Sequence, residues 1–234
     1  MKHIRRYLPL VLAGGFAAPV ASAQSTFDFN MGFGAFQTSA ASNGVDINPV
    51  TGIVFSCTPA TDPTCVKTSS LSAFALGFGG SLILWKHFGV GADVNFQPAK
   101  QTYATFQQQI VSQQQPGIAL QSRMTLYDFD GIAVPVRTKR AAVQIRGGIG
   151  GANLKFYFNQ SQTDALSGSS NFSQYFESAN HFQVHGGLGV QLYLTDHFFV
   201  RPEFDIHWVN NLNQFGRNTI TQETLWVGYS FGGQ

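Results

Sequence analysis

The sequence predicts an all-β chain that closes into an eight-stranded antiparallel up-and-down transmembrane β-barrel, and three observations carry that prediction. Eight segments alternate apolar and polar residues at period two, the repeat of a β-strand. Charged residues are 11% of the chain, against roughly 25% in soluble domains, yet beyond the N-terminus no stretch approaches the ~20 continuous apolar residues of a membrane helix. Short connections alternate with long polar ones, which is how an up-and-down barrel is threaded through a membrane.

The N-terminus, MKHIRRYLPLVLAGGFAAPVASA, sets Lys2, Arg5 and Arg6 before an apolar run and ends on Ala21-Ser22-Ala23. Charged, apolar and small-residue regions in that order predict a secretory signal over residues 1–23, cleaved before Gln24, with the barrel domain at 24–234. A membrane-anchoring helix is the competing reading, but the run is short and interrupted by Pro9 and Pro19. Three of the 14 basic residues belong to the signal, so the mature chain has 11 basic against 12 acidic residues, a formal charge of −1. The basic balance of the whole chain therefore gives no reason to expect a nucleic-acid partner.

In FDFNMGFGAF, Phe27, Phe29, Met31 and Phe33 share one face and Asp28, Asn30, Gly32 and Gly34 the other. LSAFALGFGGSLIL sets Phe74, Leu76, Phe78 and Leu82 against Ala75, Gly77, Gly79 and Ser81. FGVGADVNFQ sets Phe88, Val90, Ala92, Val94 and Phe96 against Gly89, Gly91, Asp93, Asn95 and Gln97. The phase of MTLYDFDGIAVP is ambiguous; Asp128 and Asp130 are placed inward, because a carboxylate facing acyl chains costs several kcal/mol. AAVQIRGGIGGANLKFYF sets Val143, Ile145 and Ile149 against Gln144 and Arg146, and its apolar parity then switches to Leu154, Phe156 and Phe158. That switch predicts a β-bulge near Gly150-Gly151. HFQVHGGLGVQLYL sets Phe182, Val184, Leu188, Val190 and Leu192 against His181, Gln183, His185, Gly187, Gly189 and Gln191. FFVRPEFDIHW alternates Val200, Pro202, Phe204, Ile206 and Trp208 with Arg201, Glu203, Asp205 and His207, and TLWVGYSF has Leu225, Val227, Tyr229 and Phe231 on its apolar face.

Short turns near 85–87, 135–140 and 195–197 and long polar loops at about 37–70, 98–122, 159–179 and 210–219 place both termini in the periplasm. Closure follows from backbone physics, since in lipid an open edge would leave a row of unpaired amides. A secreted lipocalin is the competing closed barrel, but its interior is apolar and its outside polar. Here the polar faces carry glycine and charge while the apolar faces carry Phe, Tyr and Trp. Cys57 and Cys65, in CTPATDPTC, are expected to form a disulfide in an exported chain, worth about 2.5 kcal/mol in the chain-entropy account of so short a ring.

The glycine-aromatic strands GFGGSLILWKHFGVGADVNF and VQIRGGIGG, the hairpin GGLGVQLYLTDHFFVRPEFDIHW and the closing LWVGYSF together span almost the whole mature chain. As an ordered set of hairpins they resemble the eight-stranded OmpA/OmpX-like outer-membrane barrel family of small porin-like proteins. The resemblance implies an outer-membrane location in a Gram-negative-type bacterium, surrounding lipid and lipopolysaccharide as partners, and a last strand read by the barrel-assembly machinery. Leu225, Val227, Tyr229 and Phe231 fit that assembly signal, although Gly232-Gly233-Gln234 follow it. The peptidoglycan-binding domain that follows the barrel in some members is not expected, nor is tethering to the cell wall.

An eight-stranded ring is only wide enough for side chains to fill it. The inward positions therefore predict a structural polar layer of Asp28, Asp93, Asp128, Asp130, Arg146, Arg201, Glu203 and Asp205, with His185 facing His207 across one hairpin and Asp130 facing Arg146 across another. Charges buried there must be paired. A gate or an acid/base site is the functional reading of the same cluster. No cofactor, metal or catalytic residue is predicted. His181 and His185 would lie roughly 13 Å apart on a strand, too far for a shared metal. DIHWVNN resembles the His-x-Ser-Asn pattern of lipid A deacylases at His207 and Asn210, but Val209 stands where the serine nucleophile would be. GFGG and GGIGG lack the spacing and the strand-turn-helix context of a dinucleotide loop; glycine in a small barrel permits close approach and strong curvature. The Gln-rich stretch at 101–122 reads as an extracellular loop or hairpin tip able to meet a surface ligand. The expected function is a non-enzymatic integral outer-membrane protein with a structural or surface-recognition role. A small-solute channel, and behind it a lipid-modifying enzyme, are the alternatives.

Overall fold

The computed structural model describes residues 25–48, 53–106, 118–164 and 168–232; the predicted signal segment and the centre of the Gln-rich stretch lie outside them. The described residues contain no helix and form twelve strands: β1 (Thr26–Thr38), β2 (Gly44–Ile47), β3 (Val54–Cys57), β4 (Val66–Lys67), β5 (Leu71–Leu84), β6 (Phe88–Phe96), β7 (Gln101–Phe106), β8 (Ile118–Arg137), β9 (Ala141–Asp164), β10 (Gly168–Tyr193), β11 (Phe198–Val209) and β12 (Thr219–Phe231). All pairings are antiparallel, in the order β6-β5-β1-β12-β11-β10-β9-β8, and β6 pairs back onto β8 to close the ring. β7 pairs with the outer part of β8 and continues the path of β6 after an interruption at Gln97–Lys100, where Pro98 cannot donate to a ladder. Eight strand paths therefore make one closed barrel.

Each predicted segment lies within a barrel strand, and the inward and outward faces alternate as expected. Phe27 pairs with Phe231, so the two described ends meet at the end of the barrel that carries the three short turns. The three-residue turn Trp85–His87 between paired Leu84 and Phe88 has Trp85 and Lys86 at positive φ, 47° and 66°, as a tight hairpin connection requires. Pro202 faces outward, and the β10–β11 ladder has its gap there, because proline has no N–H to offer. Pro135 sits where the β8–β9 register shifts, between Ala133 and Val136.

At the opposite end the structure differs from expectation. The described residues of the long segments at 98–122 and 159–179 are largely strand, an extension of the barrel wall by β7, the start of β8 and the β9–β10 hairpin. The 37–70 segment carries a three-stranded sheet with β2 between β3 and β4. The Cys57–Cys65 disulfide is present and joins the outer strands of this sheet across Gly44, where a Cβ would sit 2.6 Å from Cys65 Sγ.

The predicted bulge near Gly150-Gly151 is absent. β9 stays in continuous register with both β8 and β10 through those residues, and the nearest shift in β10 lies at Tyr175/Glu177. Even-numbered residues face inward throughout: Gln144 and Arg146 below the glycines, Ala152, Leu154 and Phe156 above them. Ile145 and Ile149 are half exposed outside, and beyond them the outward positions carry Asn153 and Lys155. The backbone keeps its phase while the surroundings exchange, with an apolar exterior below and an apolar interior above.

The same exchange occurs around the ring. Outward Phe33, Phe74, Tyr127, Phe182 and Trp208 form an aromatic belt at the level where Asp128 gives way to Leu126 inside, His207 to Val209 and Gln222 to Ile220. Above the belt the interior is a hydrophobic core that includes Phe36, Leu71, Met124, Leu154, Leu212 and Ile220, each at most 2% exposed. Near the short turns a smaller apolar cluster, Ile83, Ile132, Val134 and Ala142, fills the other end. Phe198, Tyr229, Phe231 and Phe27 make a second aromatic group outside it, with successive ring centroids 5.0, 4.7 and 5.9 Å apart. Paired aromatic girdles bounding an apolar band are the outer signature of a barrel in a bilayer.

Candidate functional site in the barrel lumen and at its mouth

Between the two apolar plugs lies a polar layer to which all eight strand paths contribute. Arg146 on β9 is its hub: Nη2 is 2.8 Å from Asp93 Oδ2 on β6 and also meets Asp130 Oδ2 on β8, while Nη1 is 3.0 Å from Glu203 Oε1 on β11. Arg201 holds the other Glu203 oxygen at 2.9 Å and donates to Gln144 Oε1 at 3.1 Å. Gln144 donates to Gln191, and Gln191 to Asp28 Oδ2 at 3.3 Å. Asp28 also accepts from Ser230 and from Ser81, which carries the network to β12 and β5. Asn95 donates to Asp93 at 2.9 Å and Gln183 to Asp128 at 2.7 Å. With so many hydrogen bonds to each charge, a dry ionic layer becomes tolerable.

The residues expected in this layer are all buried in it: Asp28, Asp93, Asp128, Asp130, Arg146, Arg201, Glu203, Asp205, His185 and His207. One juxtaposition is corrected. Asp130 is opposite Gly148, and Arg146 is opposite Ile132, so the two charges meet diagonally across the lumen side of β8 and β9. His185 is directly opposite His207, with ring centroids 5.3 Å apart. His181 stands higher, its Nδ1 2.9 Å from the Asn210 carbonyl oxygen. Asn210 is exposed and Val209 is buried, so the deacylase-like tetrad is not assembled around His207.

Sequence reasoning missed Trp226. Aromatic residues were assigned to the outside, yet Trp226 is fully buried, its indole donating to Glu203 Oε1 at 2.7 Å and its ring 5.7 Å from the Arg201 guanidinium. Gly32 and Gly77 make its slot, since a Cβ on either would fall within 2.7 Å of the indole. Its position between outward Leu225 and Val227 is the signal that places it inward. The structural glutamines Gln144, Gln183 and Gln191 were likewise on the correct face but not recognised as network members.

The second candidate region is the mouth. A cavity of about 620 Å³ opens between the β2–β4 sheet and the 212–218 segment, lined among others by Asn43, Val54, Tyr103, Phe156, Gln214 and Arg217. A bulge between Thr102 and Ala104 turns both Tyr103 and Ala104 inward. Tyr103 packs edge-on against Phe156 and Phe215, at 5.1 and 5.6 Å, and donates its hydroxyl to the Gln214 carbonyl. Burial pushes that hydroxyl up to about 12, so it stays a neutral donor. On the rim, hydrogen bonds from Thr64 hold the Asp62 carboxyl below the usual carboxylate range.

Leu225, Val227 and Phe231, expected from the family resemblance to serve as an assembly signal, are exposed on the outer face of β12, with Tyr229 half-buried between Phe198 and Phe231. Over residues 8–231 the sequence matches the outer membrane protein beta-barrel domain. None of the curated proteins matches it. Among solved structures it is similar to Ail, the attachment invasion locus protein of Yersinia pestis, at 12% identity over 89% of this chain and 99% of that one, with a TM-score of 0.49. It is similar to Neisserial surface protein A at 8% identity, 87% and 95% coverage and a TM-score of 0.45. It is also similar to the outer membrane protease OmpT of Escherichia coli, at 7% identity, 92% and 100% coverage and a TM-score of 0.44. The chain belongs to the outer-membrane β-barrel family, and the outer membrane of a Gram-negative bacterium is its location.

Proposed function

We propose that this member of the outer-membrane β-barrel family is a non-enzymatic, non-conducting protein that supports the envelope and presents its extended mouth to a surface ligand. The observation that carries the reading is the lumen. It is closed in series by an apolar cluster, an ionic layer cross-bonded from every strand path, and an apolar core. An eight-stranded ring has room for side chains or for a water column, not for both. The ion pairs of the middle layer occupy the axis, so a solute would have to break several buried charge contacts to pass.

On this reading the partners are lipid and lipopolysaccharide around the apolar band, and the barrel-assembly machinery engaging Leu225, Val227, Tyr229 and Phe231. A ligand of the extracellular mouth completes the set, and no nucleic acid is among them. An open cavity beside the disulfide-braced sheet, with Asp62 on the rim, suits recognition. Val209 stands where the His-x-Ser-Asn pattern would place a serine after His207, so that motif supplies no nucleophile.

Planar-bilayer recording of the purified barrel tests the reading: no steady single-channel current is expected, and reproducible ohmic steps would overturn it. Lipid A from cells overproducing the chain is expected to keep its acylation pattern. A change in that pattern would move the protein to the enzymes.

A further inference from the structure

We propose that Asp128, His185 and His207 form a binding site for one divalent transition-metal cation of the zinc class inside the barrel. The three side chains come from β8, β10 and β11, and one ligand atom of each lies within 4.8 Å of the others. Nδ1 of His185 is 3.1 Å from Asp128 Oδ1, and Nδ1 of His207 is 3.9 Å from the same oxygen. Ligands about 2.0–2.1 Å from a tetrahedral zinc ion stand roughly 3.3 Å apart, so rotamer adjustments that draw the three atoms together by up to about 1.5 Å would close the set. Two imidazoles and a carboxylate are donors that suit Zn²⁺ and its first-row neighbours over Mg²⁺ or Ca²⁺.

Unpaired nitrogens point the same way. His207 is 2% exposed, and neither of its ring nitrogens makes a regular hydrogen bond, while His185 Nδ1 already faces the Asp128 carboxylate at 3.1 Å. A buried polar atom without a partner is costly, and coordination would satisfy one of the two His207 nitrogens. On its other side, His185 Nε2 lies 2.6 Å from Asp130 Oδ1. Metal-bound histidines characteristically direct the second ring N–H at a carboxylate, which fixes tautomer and ring orientation.

Charge supplies a third, independent reason. The described residues bury six carboxylates in the lumen, Asp28, Asp93, Asp128, Asp130, Glu203 and Asp205, against two guanidiniums, Arg146 and Arg201. Both guanidiniums are engaged with Asp93, Asp130 and Glu203, which leaves Asp128 facing only Gln183 and the two histidines. A cation there offsets the excess. A protonated His185 bridging Asp128 and Asp130 would also add positive charge, but it would leave both nitrogens of His207 unpaired.

β9 is built to permit this approach. Asp128 and Asp130 must cross it to reach β10, and their neighbours there are Gly150 and Gly148. A Cβ at Gly150 would stand 2.8 Å from Asp128 Oδ1, and one at Gly148 would stand 2.9 Å from Asp130 Oδ1. The GGIGG stretch thus clears a path for two carboxylates beneath which any side chain would have intervened.

The test is zinc stoichiometry on the folded chain. Protein refolded into detergent micelles with Zn²⁺ present, then dialysed free of unbound metal, is expected to retain about one zinc per chain by elemental analysis. His207→Ala is expected to retain none, and zinc should raise the temperature at which the folded gel band is lost for the wild type alone. Asp62→Asn, on the exposed rim, should retain zinc like the wild type. Zinc retained equally by His207→Ala, or less than about a tenth of an equivalent on the wild type, would overturn the site. If His207→Ala does not fold, zinc K-edge absorption of the wild type decides: imidazole scattering supports the assignment and its absence refutes it.

Discussion

The two halves of β9 make an instructive pair. From Ala141 to Gly150 the strand carries Val143, Ile145 and Ile149 outside and Gln144 and Arg146 inside; from Ala152 to Phe158 it carries Asn153 and Lys155 outside and Leu154 and Phe156 inside. Pairing with β8 and β10 runs without a shift through Gly150-Gly151, where the two halves meet. What differs is the solvent, hydrocarbon around the lower half and water around the upper. Period-two alternation reports that a strand separates two environments, and it is silent about which of them is inside. A bulge and a membrane boundary write the same signature into a sequence. Only pairing on both sides of Gly150-Gly151 tells them apart.

Substitutions that treat the halves differently sharpen the contrast. The largest effect is expected from Arg146→Met, which strands Asp93, Asp130 and Glu203 in the lower half; the loss should be about 4 kcal/mol, read as urea unfolding in detergent. Unchanged stability would show that the ionic layer is not what holds the lower barrel. Next, Ile145→Lys should cost about 3 kcal/mol because it puts an ammonium against acyl chains, whereas Lys155→Ile on the same face of the same strand should stay within about 0.5 kcal/mol. Equal costs would erase the proposed boundary.

Cys57→Ala acts only above the belt. It should weaken the three-stranded sheet by about 2.5 kcal/mol, seen as faster proteolysis between residues 41 and 68 while the heat-modified gel shift of the barrel is retained. The smallest effect belongs to the turn end: Lys86→Gly should stabilise by about 1 kcal/mol, because Lys86 holds a positive φ that costs an L-residue about that much. A loss of stability there would mean that Lys86 makes contacts worth more than its backbone cost.

The membrane-embedded half was legible in the residues. Asp128 and Asp130 could be placed inward despite an ambiguous phase, because charge toward lipid is so expensive that it overrides weaker cues. Trp226 was not recognised, since an aromatic side chain suits either face and only a slot between Gly32 and Gly77 admits it. The segments at 98–122 and 159–179 read as polar connections, the first as a loop or an extended hairpin tip, for a related reason: Gln, Asn, Ser and Thr look like loop composition until strand pairing reveals their partners. β7, with Tyr103 turned inward by a bulge, shows how one extra residue redirects a side chain that local pattern would have sent outward.

By itself the sequence determined the closed eight-path barrel, the identity of the inward charges and the pairing of Cys57 with Cys65. Each of these follows from a local rule with a large penalty behind it: unpaired amides in lipid, charges in hydrocarbon, thiols eight residues apart in an exported chain. Tertiary structure alone decided which carboxylate meets which guanidinium, where the ionic layer ends and the apolar core begins, and that Asp128, His185 and His207 converge. These depend on the stagger between non-adjacent strands and on the room left by Gly148 and Gly150, distances that no pattern along a single strand encodes.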